Sequence, residues 1–164
     1  MKQLVQLTVN GDERAEYVDT RRTLLELVRE EFSLFGTHRG CDSGHCGACT
    51  VLLDGQPVNS CLVLAADCEG AHVLTIEGLA QSERLHPVQH QLVEHGGIQC
   101  GFCTPGMVMS AVALLEETPH PDESQVRQAL AGNLCRCTGY AKIVAAVLAA
   151  ADEIATQVPA DWPA

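Results

Sequence analysis

Gly40-Cys41-Asp42-Ser43-Gly44-His45-Cys46-Gly47-Ala48-Cys49-Thr50 is the stretch around which the rest of the chain is read. Its cysteines follow a C-x4-C-x2-C spacing, and Cys61 answers them twelve residues after Cys49. Three thiols at that spacing, with a distant fourth, form the ligand pattern of a [2Fe–2S] centre. Such a loop must curl round an inorganic core and still present its backbone amides to the sulfurs. Gly40, Gly44 and Gly47 suit the task, because glycine accepts positive φ and close approach. Cys61 is the fourth ligand by elimination. Its rival, Cys68, lies outside the hairpin that returns Cys61 to the loop and reads as a small buried apolar residue. With four cysteines available, His38 and His45 are not needed as Rieske-type ligands.

Working outward, Leu4 to Val9 alternates as a strand, Asn10-Gly11 is a strong hairpin signal, and Glu13 to Val18 returns as its partner. Thr23 with Glu26 forms a capping box, opening a helix that buries Leu24, Leu27 and Val28. Thr50 to Leu53 reads as a strand, Asp54-Gly55 as a tight turn, Val58 as the return strand, and His72 to Ile76 as a last short strand. This is an α+β unit, a mixed sheet with one helix packed on it.

After Gly78 the pattern becomes helical. Leu85 to His95 is punctuated by Pro87 and Gly96-Gly97, and Thr104-Pro105 reads as an N-cap followed by an N1 proline. Asp122 with Gln125 caps a third helix, and Gly139 leads into a fourth with Ile143, Val144, Val147, Leu148 and Ala151 on one face. Four segments predict a small helical bundle. The tail from Val158 is expected to be loose or laid on a partner. His86, His90 and His95 read as solvated or packing residues.

Cys100-Gly101-Phe102-Cys103 and Cys135-Arg136-Cys137 bring four more thiols to helical boundaries. Helix N-termini favour thiolates and lower their pKa, so two pairs on two helix ends are expected to clasp one tetra-thiolate centre. Spacing alone leaves structural zinc open for this second set.

The totals narrow the class. Three Phe, two Tyr and one Trp in 164 residues are few for two independent cores, and the nine cysteines are the expected compensation. Residues 1–9 lack the apolar run of a signal peptide, and no stretch reaches membrane-spanning length. Clustered cysteines then point to metal in a reducing, cytoplasmic setting rather than to disulfides. A formal charge of −11 argues against nucleic acid and anionic membrane as partners. Two bound [2Fe–2S] centres would carry it to about −15. Neither paired carboxylates, a nucleophile–base set nor a phosphate loop is present. The reading is therefore an electron carrier without catalytic residues of its own.

Gly40 to Thr50, Gln99-Cys100-Gly101-Phe102-Cys103-Thr104-Pro105-Gly106-Met107 and Gly132-Asn133-Leu134-Cys135-Arg136-Cys137-Thr138-Gly139-Tyr140 together closely resemble the iron–sulfur subunit of the xanthine oxidase, or molybdenum hydroxylase, family. The resemblance runs from about Val5 to Ala155. It implies a plant-ferredoxin-like β-grasp domain over 1–79 and a four-helix-bundle domain over 80–164. The first cluster would lie on Cys41, Cys46, Cys49 and Cys61, the second on Cys100, Cys103, Cys135 and Cys137. It also implies that Gln99 hydrogen-bonds the molybdopterin of a large partner subunit. In this family the large subunit hydroxylates an electron-poor carbon with oxygen from water. Electrons pass singly through the second cluster and then the first, to a medium FAD-binding subunit or, in some relatives, a cytochrome acceptor. A heterotrimer or its dimer is the expected assembly. The competing expectation is a free-standing ferredoxin-like carrier.

Overall fold

A computed structural model describes residues 1–80 and 84–157; the tail from Val158 lies outside them. Five strands form one sheet: β1 (Lys2–Val9), β2 (Asp12–Asp19), β3 (Thr50–Leu53), β4 (Gln56–Asn59) and β5 (His72–Leu74). Their order is β2-β1-β5-β3-β4, with β1 parallel to β5 and every other pair antiparallel. Both hairpins turn on the residues expected. Asn10 and Gly11, and likewise Asp54 and Gly55, all have positive φ, the pair of conformations that a two-residue type I′ turn requires. Pro57 sits on the edge strand β4, where a missing N–H costs least.

Thr23 caps α1 (Leu24–Glu26) through the expected box, and the chain then widens into a π-turn over Leu27–Glu31. Leu24, Leu27 and Val28 are fully buried. Arg29 follows on the exposed side. It donates to the carbonyls of Phe35 and Thr37, at 2.8 and 2.7 Å, and so ties down the segment that enters the cysteine loop.

Four helices follow: α2 (Pro87–Glu94), α3 (Thr104–Glu117), α4 (Glu123–Ala129) and α5 (Ala141–Gln157). The capping box of α4 is as expected, Asp122 with Gln125. The start of α3 is one residue earlier than the Thr104-Pro105 signal predicts. Cys103 is its N-cap, because the Cys103 carbonyl already accepts the first helical bond from Met107 N–H at 3.0 Å.

The sheet is packed on both faces, following the strand alternation. Val5, Leu7 and Val9 of β1 join Val51 and Val73 in one core with Leu24, Leu27, Val28 and Cys68. Leu52 points the other way, into a core built by α2 to α5 around Leu92, Met107, Met109 and Ile143, with Leu74 packed alongside. The shortage of aromatic residues is thus met partly by sharing. The helices use the sheet as one wall of their own core, in addition to whatever the cysteines contribute.

His86 is more than a packing residue. It is buried and caps α2: its Nδ1 accepts from Val88 N–H at 3.1 Å while the Gln89 side chain accepts from His86 N–H at 3.0 Å. Burial lowers its pKa to about 4, against the raising influence of Glu153. His90 is also committed, with Nδ1 3.1 Å from Glu153, a carboxylate that accepts from Gln91 Nε2 at 2.7 Å as well. These bonds join α2 to α5.

Candidate metal centres

All nine cysteines are free thiols. In the first loop, Asp42, Gly44 and Gly47 adopt positive φ, and this coiling turns backbone N–H groups inward. The Cys41 sulfur accepts from the N–H of Ser43 at 3.4 Å and of His45 at 3.3 Å. Hydrogen bonds from Ser43, and then from the Cys46 backbone, draw the Cys41 pKa down to about 6. The Gly40 position is tight, since a Cβ there would lie 2.7 Å from the Cys46 sulfur. Gly44 is roofed by the Leu62 side chain.

Cys61 reaches the loop because the β3–β4 register pairs Thr50 with Asn59 and brings Ser60 beside Cys49. The Cys49 carbonyl accepts from Ser60 Oγ at 2.7 Å and Ser60 N–H at 3.3 Å. Cys49 and Cys61 are then buried together against Leu25. Burial, and next the neighbouring Cys49, pushes Cys61 up to about 11, with Cys41 adding to the rise. Cys68 belongs elsewhere. It is fully buried in the other core, and burial followed by the charges of Asp67 and Asp54 raises it to about 11. The charged groups that act on it are carboxylates.

The second set assembles from two separate stretches. Cys100 and Cys103 precede α3, whereas Cys135 and Cys137 lie in the loop between α4 and α5. The Cys137 and Cys100 sulfurs are 3.6 Å apart. Thr138 Oγ1 lies 3.1 Å from the Cys135 sulfur, and Cys135 N–H donates to the Tyr140 hydroxyl at 2.8 Å. Cys135 is lowered despite its burial, because Thr138 and the backbone donate to it. Cys103 departs from the helix-end expectation. Burial first, then Cys135 and Cys100, drives it up to about 12, so desolvation and neighbouring sulfur outweigh the helix end. Only one of the two pairs abuts a helix terminus; the other is held by Thr138 and Tyr140.

Within each set the thiols act on one another, Cys46 on Cys41, Cys49 on Cys61 and Cys135 on Cys103, and the sulfurs of Cys100 and Cys137 lie 3.6 Å apart. Among the described residues no three His, Cys, Asp or Glu side chains close round one ion. Paired thiols suit a two-iron core, which takes two thiolates at each iron, better than a single tetrahedral ion with four donors at about 2.3 Å. The donor set therefore fits two [2Fe–2S] centres. His45 instead contacts Ser43 Oγ at 3.1 Å, and His38 contacts the Phe102 carbonyl at 2.7 Å.

The two loops touch. Leu134 N–H donates to the Cys46 carbonyl at 2.8 Å, and the His38 and Phe102 rings stack at 4.9 Å. Gln99 stands exposed beside exposed Cys100, its side chain without a hydrogen bond to any described residue. Gly101, at φ +84°, faces open space. Phe102 and Leu134, each next to a cysteine of the second set, are exposed, and Leu62 is exposed over the first loop. The interloop contacts and the roles of Thr138 and Tyr140 escape a sequence reading. Thr138 and Tyr140 fall within the Gly132–Tyr140 motif, but its pattern does not say which side chains hold the sulfurs.

Residues 7–76 match the model of the 2Fe-2S iron–sulfur cluster binding domain, and residues 75–148 match that of the [2Fe-2S] binding domain. The chain is 42% identical over 151 residues to the nicotinate dehydrogenase small FeS subunit of Eubacterium barkeri, covering 92% of this chain and 96% of that one. It is 45% identical over 163 residues to an aldehyde oxidoreductase iron–sulfur-binding subunit of Escherichia coli, covering 90% and 71%. A chain of quinoline 2-oxidoreductase from Pseudomonas putida 86 superposes with a TM-score of 0.90 at 44% identity, covering 93% of this chain and 95% of that one.

Proposed function

Because the chain belongs to the family of iron–sulfur subunits of molybdenum hydroxylases, we propose that its eight paired thiols are the cluster ligands of that electron-transfer subunit. Cys41, Cys46, Cys49 and Cys61 hold one [2Fe–2S] cluster, and Cys100, Cys103, Cys135 and Cys137 hold the second. The observation that carries this reading is the gathering of eight of nine cysteines into two sets whose loops are in direct contact. When bound, the clusters supply one-electron carriage and no bond-making chemistry. The chain's own residues fix the sulfurs, donate N–H groups to them and bring the two loops together.

The division of labour falls between a β-grasp domain over 1–79 and a four-helix bundle over 80–164. The second cluster faces a large molybdopterin-binding subunit, toward which Gln99 presents a free amide able both to donate and to accept. The first cluster, beneath exposed Leu62, faces a medium FAD-binding subunit or a cytochrome acceptor. The assembly is a cytoplasmic heterotrimer or its dimer, and electrons run from the second cluster to the first. Exposed Phe102 and Leu134 beside the second set favour a fixed partner over a free-standing carrier, and no helix among the described residues is long and apolar enough to cross a membrane.

Iron and sulfide analysis of the purified chain tests the ligand assignment, and co-purification tests the assembly. About four iron and four acid-labile sulfide per chain are expected, with visible charge-transfer absorption. A colourless preparation holding stoichiometric zinc would overturn the reading.

A further inference from the structure

We propose that Asn133 is a positioning residue for electron transfer between the two cluster sites, locking the Cys135–Cys137 loop onto the Cys41–Cys49 loop. The inference rests on the two-cluster reading above and goes beyond it.

Asn133 is 4% exposed and lies between the halves of the molecule. Its Nδ2 donates to the Gly47 carbonyl at 2.9 Å and to Thr50 Oγ1 at 3.2 Å, while its Oδ1 accepts from Ser110 Oγ at 2.8 Å. One side chain thus joins the first cysteine loop, the start of β3 and the middle of α3. Its backbone is held equally well. The N–H donates to the Leu130 carbonyl at 3.0 Å, and the carbonyl accepts from the Tyr140 hydroxyl at 3.3 Å. Both amide hydrogens are committed, and every one of these bonds is made inside the protein.

The surroundings are shaped for this contact. A Cβ on Gly47 would lie 2.4 Å from the Gly132 carbonyl oxygen and 2.6 Å from Asn133 Nδ2. A Cβ on Gly106 would lie 2.1 Å from the Gly47 carbonyl oxygen. Glycine at both positions lets the backbones approach until the Asn133 amide can bridge them. The next residue, Leu134, then donates to the Cys46 carbonyl at 2.8 Å, leaving the ligand residues Cys46 and Cys135 linked through one hydrogen bond. Electron tunnelling falls steeply with separation and with loss of a bonded route, so this contact governs how fast the two sites exchange electrons.

The Leu134–Cys46 bond, a single backbone contact, also ties these two loops, and Asn133 beside it supplies the side-chain anchor. The His38–Phe102 stack joins the segment before Cys41 to the Cys100–Cys103 turn, and it leaves the Cys135–Cys137 loop unheld. Leu52 docks the sheet on the helices away from the sulfurs. Without Asn133 the halves stay together while the Cys135 loop loses its side-chain anchor and keeps the Leu134 backbone bond to Cys46, so it gains freedom relative to Cys46.

The test uses the full iron-loaded chain with Asn133→Ala, Asn133→Asp, Ser110→Ala and, as a control, Thr50→Ser. Iron content, the potential of each cluster, the spin–spin splitting of the fully reduced protein and the intercluster rate after single-electron injection are measured. Asn133→Ala is expected to keep both clusters and their separate signals, to weaken the splitting and to slow the transfer several-fold. Asn133→Asp is expected to do worse, because it sets a carboxylate against the Gly47 carbonyl. Ser110→Ala is expected to do less, and Thr50→Ser nothing. Wild-type splitting and rate in a fully loaded Asn133→Ala protein would overturn the proposal. If that variant loses iron, wild-type splitting and rate in a fully loaded Asn133→Asp protein, which has no amide donor for the Gly47 carbonyl, would overturn it as well. A wild-type chain holding no [2Fe–2S] centre defeats the ligand assignment instead.

Discussion

The two cysteine sets solve one chemical problem by opposite means. The first is made locally: a single hairpin carries Cys61 back to a loop already coiled by Asp42, Gly44 and Gly47, with two sulfurs buried under Leu25. The second is made by packing. Cys100 and Cys103 meet Cys135 and Cys137 only when α3, α4 and α5 have settled, and two of the four thiols remain exposed. The local site owes its shape to turn chemistry. The remote one owes it to the helical core and, on the ligand assignment proposed above, would cross-link that core once metal is bound, since a ligand held only by the folded state stabilises it.

That contrast is most open to attack through the ligands themselves. Cys41→Ser and Cys135→Ser are each expected to lose about half of the iron. Cys135→Ser should lower the unfolding midpoint further, by several degrees, because its cluster bridges segments far apart in sequence. Equal midpoints in calorimetry would break the comparison. The shared wall is the next target. Leu52→Ala is expected to cost about 2–5 kcal/mol and to split a single unfolding transition into two, since it cuts the sheet away from the helical core. One unsplit transition in urea with a stability loss below about 2 kcal/mol would show that the halves do not lean on each other there.

A further difference is acid sensitivity, placed in the helical half by His86. The folded protein keeps this imidazole neutral down to about pH 4, whereas the unfolded chain protonates it near pH 6.5. The unfolded state therefore binds the extra proton as pH falls through that window. The contribution of His86 is complete above pH 6.5 and is lost progressively toward pH 4, by about 3 kcal/mol in all. Protonation also removes the lone pair on Nδ1 that caps Val88 N–H. His86→Asn, which keeps an acceptor at the cap without titrating, should flatten the stability profile of the helical half across this range. An unchanged slope would exclude His86 as its source. The smallest stability effect belongs to Gln99→Ala, expected to stay within about 0.5 kcal/mol at this exposed position and to leave both clusters loaded. Its consequence should appear only as reduced turnover of the assembled enzyme, and unchanged turnover would remove Gln99 from the partner contact.

The parts of the fold that follow from short-range chemistry were legible in the chain. Asn10-Gly11 and Asp54-Gly55 turn where such pairs turn, and Thr23 with Glu26 and Asp122 with Gln125 cap the helices they precede. The alternation along β1 buries Val5, Leu7 and Val9 and leaves Leu4 exposed. Discrepancies arose where burial competes with a local rule. A helix N-terminus is expected to lower a thiol pKa, yet Cys103 rises, because the helix end supplies only a partial charge while desolvation acts on the whole thiolate. Likewise His86 reads as one of three unremarkable histidines on a helix, and only the fold shows it enclosed as a cap.

What the sequence determined by itself is the donor chemistry. The C-x4-C-x2-C loop with its glycines points to an iron–sulfur centre and the paired cysteines beyond Gln99 to a tetra-thiolate site, since ligand type and loop curvature depend on neighbouring residues alone. Only the tertiary structure decided how closely the two cysteine loops approach, that Cys103 is desolvated at its helix end, and how Asn133 brings one loop against the other. Those outcomes depend on where distant segments of chain arrive in space, which short-range rules of turn and cap cannot specify.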